Sequence, residues 1–177
     1  MIGHEKLYQV RAPDIACICV CGHVCLWKDV QYLYSAKVHA TGVPYENIIL
    51  SGMSQGGAMT LYYAVHGRRK LGALVPMVGW LPLAKTEPPS QLATPPVNRD
   101  TPILHLNALQ DTTVPMICGQ KTSEAMKPVF TNYTLQNIPG HHGSPIILPF
   151  AIQFKRQIKG FLQENMPQLK FKSGLFY

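Results

Sequence analysis

Acidic residues are scarce in this chain: nine Asp and Glu stand against 16 Lys and Arg among 177 residues. Any chemistry that needs a carboxylate must therefore draw on few candidates. Charge of either sign is low at 14%, and 46% of the residues are apolar, a composition suited to a packed core rather than a disordered chain. Long apolar runs are missing too. None approaches the roughly 18 residues that would span a bilayer, and the charged residues 1–10 lack the apolar stretch of a signal peptide. Both absences lead us to expect a cytosolic protein. Repeats and low-complexity tracts are also lacking, and the length suits one domain over residues 1–177.

Cysteine occurs in an odd number, five, with Cys17, Cys19, Cys21 and Cys25 clustered and Cys118 distant. An odd count in a cytosolic chain argues against a disulfide framework. Alternation would project Cys17, Cys19 and Cys21 from one face of an extended segment. His23 lies close by in sequence, but the paired C-x-x-C knuckles usual for tetrahedral zinc do not occur. We expect small, semi-buried thiols and no metal.

Much of the formal charge of +7 falls late, in Lys155, Arg156, Lys159, Lys170 and Lys172. A basic excess can attract anionic membranes or nucleic acid. Here the charges are dispersed, without an aromatic ladder or zinc-finger spacing, so nucleic acid is not expected as a partner. Solvated surface is the default reading, and peripheral contact with a membrane surface is the second.

Short apolar runs alternate with helical patterns. Residues 47–51 form a buried-strand candidate, and residues 73–81, 103–108 and 132–138 are three more. Between the first two, Ala58, Leu61, Tyr62 and Val65 fall at helical spacing, and Gly67 followed by three basic residues makes a helix stop. Residues 124–127 lie in a predicted helix between the last two strands. Near the end, Ala151, Phe154, Ile158, Phe161 and Leu162 make one apolar stripe opposite Lys155, Arg156 and Lys159, the pattern of an amphipathic helix. The proline-rich residues 85–102 read as a surface excursion. Strands alternating with helices imply an α/β fold with a mostly parallel sheet flanked by helices.

The strongest local signal is Gly52-Met53-Ser54-Gln55-Gly56-Gly57, a G-x-S-x-G string that follows a strand and opens a helix. A serine in that context sits on a sharp turn with its hydroxyl exposed. The helix beyond aims its N-terminal NH groups at any negative charge developing there. A plain glycine-rich turn is the alternative. Serine is a poor nucleophile without a base, itself oriented by a carboxylate, and in this fold class the order is Ser, then Asp or Glu, then His. The carboxylates after Ser54 are Glu87, Asp100, Asp111, Glu124 and Glu164. Asp111 lies just beyond the strand at 103–108, where a parallel sheet presents its active-site loops. Asp100 precedes that strand and belongs at the opposite edge. Aspartate is also a common turn former, which is the plain reading of Asp111. For the base, His141 and His142 follow the last strand, whereas His66 at a helix end and His105 within a strand look structural.

These residues carry a resemblance to the acyl-protein thioesterase family, the lysophospholipase and carboxylesterase-like group of the α/β-hydrolases. Residues 48–57, then Leu71-Gly72-Ala73 and Trp80-Leu81-Pro82-Leu83, resemble its elbow, following strand and loop. Thr101-Pro102-Ile103-Leu104-His105 and Asp111-Thr112-Thr113-Val114-Pro115 look like its aspartate strand and turn. Arg11-Ala12-Pro13, Trp27-Lys28-Asp29 and Gly42-Val43-Pro44 resemble upstream segments. The resemblance implies an enzyme without cofactor that removes long acyl chains from cysteine thioesters of cytosolic proteins, and cleaves lysophospholipids and carboxylic esters. It further implies Ser54 as nucleophile, Asp111 as orienting acid, a histidine near residue 142 as base, and the Gln55 backbone NH as half of the oxyanion hole.

Several features depart from the family pattern. Its opening strands have no counterpart here, nor does the His-Gly-rich loop that supplies the other oxyanion donor, a loss typically worth ~100- to 1000-fold in rate. In that family's sheet the missing third strand lies between the Ala-Pro strand, here residues 7–10, and the nucleophile strand, and its loss leaves a gap that the remaining strands must close or expose. The crossover after Trp27-Lys28-Asp29 is shorter, although Val30, Leu33, Tyr34 and Val38 can still build one helix. Asn107-Ala108 replaces a His-Gly pair, and Pro76 interrupts a central strand, removing one ladder hydrogen bond. An ungapped match at Pro139-Gly140 puts Gly143 at the base position; one deletion restores His142 and a longer slip restores His141. We take His142. The alternative to an active hydrolase is a catalytically weak relative that keeps an apolar groove and binds acyl chains or proteins.

Overall fold

The structure is a computed structural model that describes residues 11–12, 15–20 and 42–168, with side chains described from residue 42 onward. Its six strands lie in sequence order across one sheet: β1 (Arg11–Ala12), β2 (Ile15–Val20), β3 (Ile48–Met53), β4 (Ala73–Met77), β5 (Ile103–Ala108) and β6 (Tyr133–Ile138). β1 and β2 pair antiparallel, and every pairing from β2 to β6 is parallel. Among the described residues three α-helices connect or follow the strands: α1 (Gln55–His66), α2 (Met116–Met126) and α3 (Phe150–Asn165).

The strands at the centre read as largely apolar runs because both faces are covered. All five residues of β4 and all six of β5 are buried. Ile48, Leu50, Leu74 and Ile103 pack with Leu61 of α1 and Met126 of α2 on one face. Ile49, Val75, Met77, Leu104 and Leu106 pack with Phe154 and Leu162 of α3 on the other. The amphipathic stripe expected around Ala151 and Leu162 is thus the buried face of α3.

One alternative is decided and one expectation changes. The gap beside the nucleophile strand is filled along β3, because β2 lies directly against it with Ala16 opposite Ile48 and Val20 opposite Gly52. The segment around Cys17 and Cys19 is therefore a neighbour of the elbow strand. The correction concerns β4, which ends at Met77 rather than at residue 81. Val78 follows with φ +43°, an unusual conformation for a β-branched residue, and turns the chain out of the sheet.

Pro76 has the effect expected of it. Leu74 donates to the Pro102 carbonyl at 2.9 Å and Val78 to that of Leu106 at 2.7 Å. The intervening donor would be residue 76, and proline has no NH to give. The proline-rich excursion is pinned from within: Asn98 accepts from the Leu71 NH at 3.0 Å and donates to the Arg69 carbonyl at 3.1 Å. The expected strand at 7–10, the crossover helix at 30–38, the Trp27-Lys28-Asp29 segment, Cys21, His23, Cys25, Lys170 and Lys172 lie outside the described residues. Among the described residues no helix is long and apolar enough to cross a membrane.

Candidate active site

β3 runs into α1 through a single residue, Ser54, held at φ +56°, ψ −117°. That backbone is costly for any residue with a Cβ, so the surroundings must enforce it. The Ser54 NH donates to the Met77 carbonyl at 3.0 Å, and its own carbonyl accepts from Ala58 at 2.9 Å, the first turn of α1. The turn closes only because its flanks are bare. A Cβ on Gly52 would collide with the Gly56 carbonyl, and one on Gly57 would stand 2.7 Å from that of Met77. The glycines of the motif are thus required by the close passage of backbone on backbone.

The second element comes from the end of β5. Asp111 is buried, its side chain only 1% exposed, and its two oxygens are spoken for separately. Oδ1 accepts from the backbone NH groups of Thr113 and Val114, each at 2.8 Å. Oδ2 faces Nδ1 of His142 at 2.7 Å. Asp111 is therefore both the turn former and the partner of the histidine. Because the carboxylate can only accept, Nδ1 carries the hydrogen of this contact. Nε2 is left with its lone pair, and it stands 2.9 Å from the Ser54 Oγ.

Ser54, His142 and Asp111 thus form one hydrogen-bonded line across the C-terminal edge of the sheet. His141, the other member of the pair, does not join it: its Nδ1 donates to the Gln110 carbonyl at 3.1 Å. Gln55 is the first residue of α1, where the NH groups lack intrahelical acceptors. Asp100 lies at the opposite edge, where it accepts from Thr131. His66 faces Glu87 across 3.7 Å, away from the line. Among the described residues, no group of three or more His, Cys, Asp or Glu side chains could hold a metal ion.

Sequence reasoning missed the residue that ties the two loops together. Gln110 Oε1 accepts from the Gly140 NH at 2.6 Å, and the Gln110 NH donates to the Gly140 carbonyl at 2.8 Å. Ser144 completes the brace by accepting from the His141 NH at 2.7 Å. The histidine loop is therefore fastened to the aspartate loop independently of the His142–Asp111 contact.

His105 is fully buried on β5, with Nδ1 2.7 Å from the Tyr133 hydroxyl. Burial lowers its pKa from the ordinary 6.5 to about 4, although the Gly79 backbone partly offsets this. Its folded-state pKa lies below its unfolded value, so the unfolded chain binds more protons between about pH 4 and 6.5. The contribution of His105 is complete above that window and is lost as pH falls through it, on the order of 3 kcal/mol. We expect the melting temperature to fall between pH 7 and pH 4.5, and the fall to be shallower in His105→Asn. Parallel slopes for the two proteins would remove His105 as the cause.

Residues 28–157 match the sequence pattern of the phospholipase/carboxylesterase family. The chain belongs to that family. Within it, acyl-protein thioesterase 1 of Gibberella zeae is 30% identical over 127 residues, which are 72% of this chain and 52% of that protein. Acyl-protein thioesterase 1 homolog 2 of Dictyostelium discoideum is 41% identical over 87 residues, covering 49% of this chain and 37% of that one. This phospholipase/carboxylesterase family member spans about half the length, or less, of the curated relatives it matches. Among solved structures it is similar to Arabidopsis thaliana SOBER1, at 25% identity and a TM-score of 0.64, covering 79% of this chain and 62% of that one. The α/β-hydrolase fold expected from the sequence is the fold observed.

Proposed function

We propose that this protein is a serine hydrolase of acyl thioesters and esters, with Ser54 as nucleophile, His142 as base and Asp111 as orienting acid. The hydrogen-bonded line Ser54–His142–Asp111 carries the reading. As the Ser54 oxygen attacks the acyl carbonyl carbon, its proton passes to Nε2 of His142. The imidazolium that results is stabilised by the Asp111 carboxylate on its far side. The carbonyl oxygen becomes an oxyanion beside the N-terminus of α1, where the Gln55 NH donates to it. Collapse breaks the bond to the leaving group, a thiolate or alkoxide, which takes the proton from His142 and leaves acyl-Ser54. Water then repeats the sequence in reverse order, releasing the carboxylic acid. No cofactor enters either half.

The acyl substrate class is supported by two features. Relatives at 30% and 41% identity are acyl-protein thioesterases. Leu83 and Leu109, on the loops that follow β4 and β5 at the catalytic edge, are exposed apolar residues that suit contact with an alkyl chain. S-acylated proteins, palmitoylated ones above all, and lysophospholipids are the substrates we assign. A cytosolic setting, where thiols stay reduced, fits the odd cysteine count, and one domain over residues 1–177 fits the single sheet. Each methylene buried on such a rim is worth about 0.8 kcal/mol, or roughly fourfold. In a series of acyl thioesters on one soluble peptide, we expect kcat/KM to rise at least about tenfold from acetyl to palmitoyl. Equal rates along the series would reject the acyl preference, and no turnover of any member would reject the hydrolase.

A further inference from the structure

The chain between Gly143 and α3 presents apolar side chains to solvent in an unbroken run. Ile146, Ile147 and Leu148 are 66%, 56% and 68% exposed, and Ile152 on the first turn of α3 is 52% exposed. The run is not a loose tail. The NH groups of Ile146 and Ile147 donate to the Gly143 carbonyl at 3.1 and 3.2 Å, and Ala151 donates to that of Ile147 at 3.0 Å. The apolar tip is thus built between the loop that carries His142 and the start of a helix.

Charge is arranged to match. Ile152, Arg156 and Lys159 stand at i, i+4 and i+7, on one face of α3, with Lys155 beside them. Arg156 and Lys159 are exposed and Lys155 is half-buried. From Ala125 to Gln163 the sequence holds no Asp or Glu, so no acid offsets these charges along the segment. At a rise of 1.5 Å per residue, Lys159 lies about 10 Å along the helix from Ile152. An amphipathic helix binds a bilayer by sinking its apolar side roughly 5–10 Å into the headgroup boundary, with its cations among anionic headgroups. The opposite face of α3 is already committed to the core through Ala151, Phe154 and Leu162.

We propose that Ile146–Leu148 and Ile152, with Lys155, Arg156 and Lys159, form a docking surface for an anionic lipid bilayer. The partner is set by the pairing of an exposed apolar tip with a cationic collar on a stretch, 125–163, that holds no acid. Docking there places the histidine loop against the lipid surface, where acyl chains reside. The proposal extends the hydrolase reading to where its substrate is met, but the binding itself needs no catalysis.

Flotation with vesicles tests it, using phosphatidylcholine alone and phosphatidylcholine with one third phosphatidylserine. The wild-type chain should float with the anionic vesicles and lose most, but not all, of that binding as salt rises, because screening shortens to about 10 Å at 0.1 M while apolar insertion is not screened. Each basic residue near such a surface contributes roughly fivefold. Lys155→Gln/Arg156→Gln/Lys159→Gln should therefore weaken binding by about a hundredfold at low salt. Ile147→Ser/Leu148→Ser should remove the binding that survives at high salt. Apart from the half-buried Lys155, both variants change exposed side chains, and a wild-type thermal melt confirms that each is folded. Ser54→Ala should bind as wild type does, which separates this result from the fate of the hydrolase reading. Equal binding to both vesicle types, or wild-type binding by either surface variant, would overturn the proposal. So would a wild-type dimer that Ile147→Ser/Leu148→Ser converts to monomer, since a second copy would then cover the tip.

Discussion

We expect His142→Ala to lower ester turnover by on the order of a thousandfold or more and His141→Ala to leave most of it. Two histidines adjacent in sequence cannot both reach one hydroxyl, and the hydrogen bonds divide them. His142 spans Ser54 at 2.9 Å and Asp111 at 2.7 Å, within reach of the hydroxyl proton on one side and of the carboxylate that steadies the imidazolium on the other. Removing it leaves the serine without a base, and loss of a triad member costs nearly as much as loss of the whole set. His141 holds the Gln110 carbonyl instead, so its removal loosens the loop without touching the proton path. Steady-state kinetics on a soluble ester checks this, with kcat as the parameter that moves in His142→Ala. Equal losses in the two variants, or a loss confined to His141→Ala, would assign the base wrongly.

Ser54→Ala takes turnover to background and leaves the protein folded. In the proposed mechanism the hydroxyl is the group that forms the acyl bond, and no neighbouring residue on the elbow offers another nucleophile of that kind. Its backbone supplies a second, independent readout. At φ +56°, ψ −117°, any side chain strains the turn by about 1–3 kcal/mol, and glycine escapes most of that cost. Ser54→Gly should therefore melt a few degrees above Ser54→Ala while being equally inactive. A serine retained at a strained position is what function at the expense of stability would produce. Equal melting of the two variants would show that the turn stores no strain.

Much of this was legible in the sequence because it rests on local pattern. β5 coincides with the predicted run at 103–108, since a strand buried on both faces is mostly apolar, with His105 and Asn107 as its polar members. α3 was legible through its 3.6-residue stripe, and the elbow through glycines at positions where a Cβ has no room. What could not be read depends on partners distant in sequence. Nothing in Leu109-Gln110-Asp111 announces that the glutamine side chain turns toward Gly140, 30 residues on. Asn98 sits in a proline-rich stretch that reads as loop, yet it is buried because Leu71 and Arg69 meet it there. The end of β4 was misplaced because residues 78–81 remain apolar after leaving the sheet. Val78 and Leu81 are buried as loop residues, the latter with its NH on Thr122 of α2. The place of β2 beside β3 was hidden for a related reason: alternation predicts an extended segment but not its neighbour.

The most direct measurement is reaction of the intact chain with a fluorophosphonate, which labels only a serine whose proton a nearby base can accept. The account predicts one adduct per chain, carried by the peptide containing Ser54, and none in Ser54→Ala or His142→Ala. An unlabelled wild-type chain, or an adduct that persists in Ser54→Ala, would contradict it.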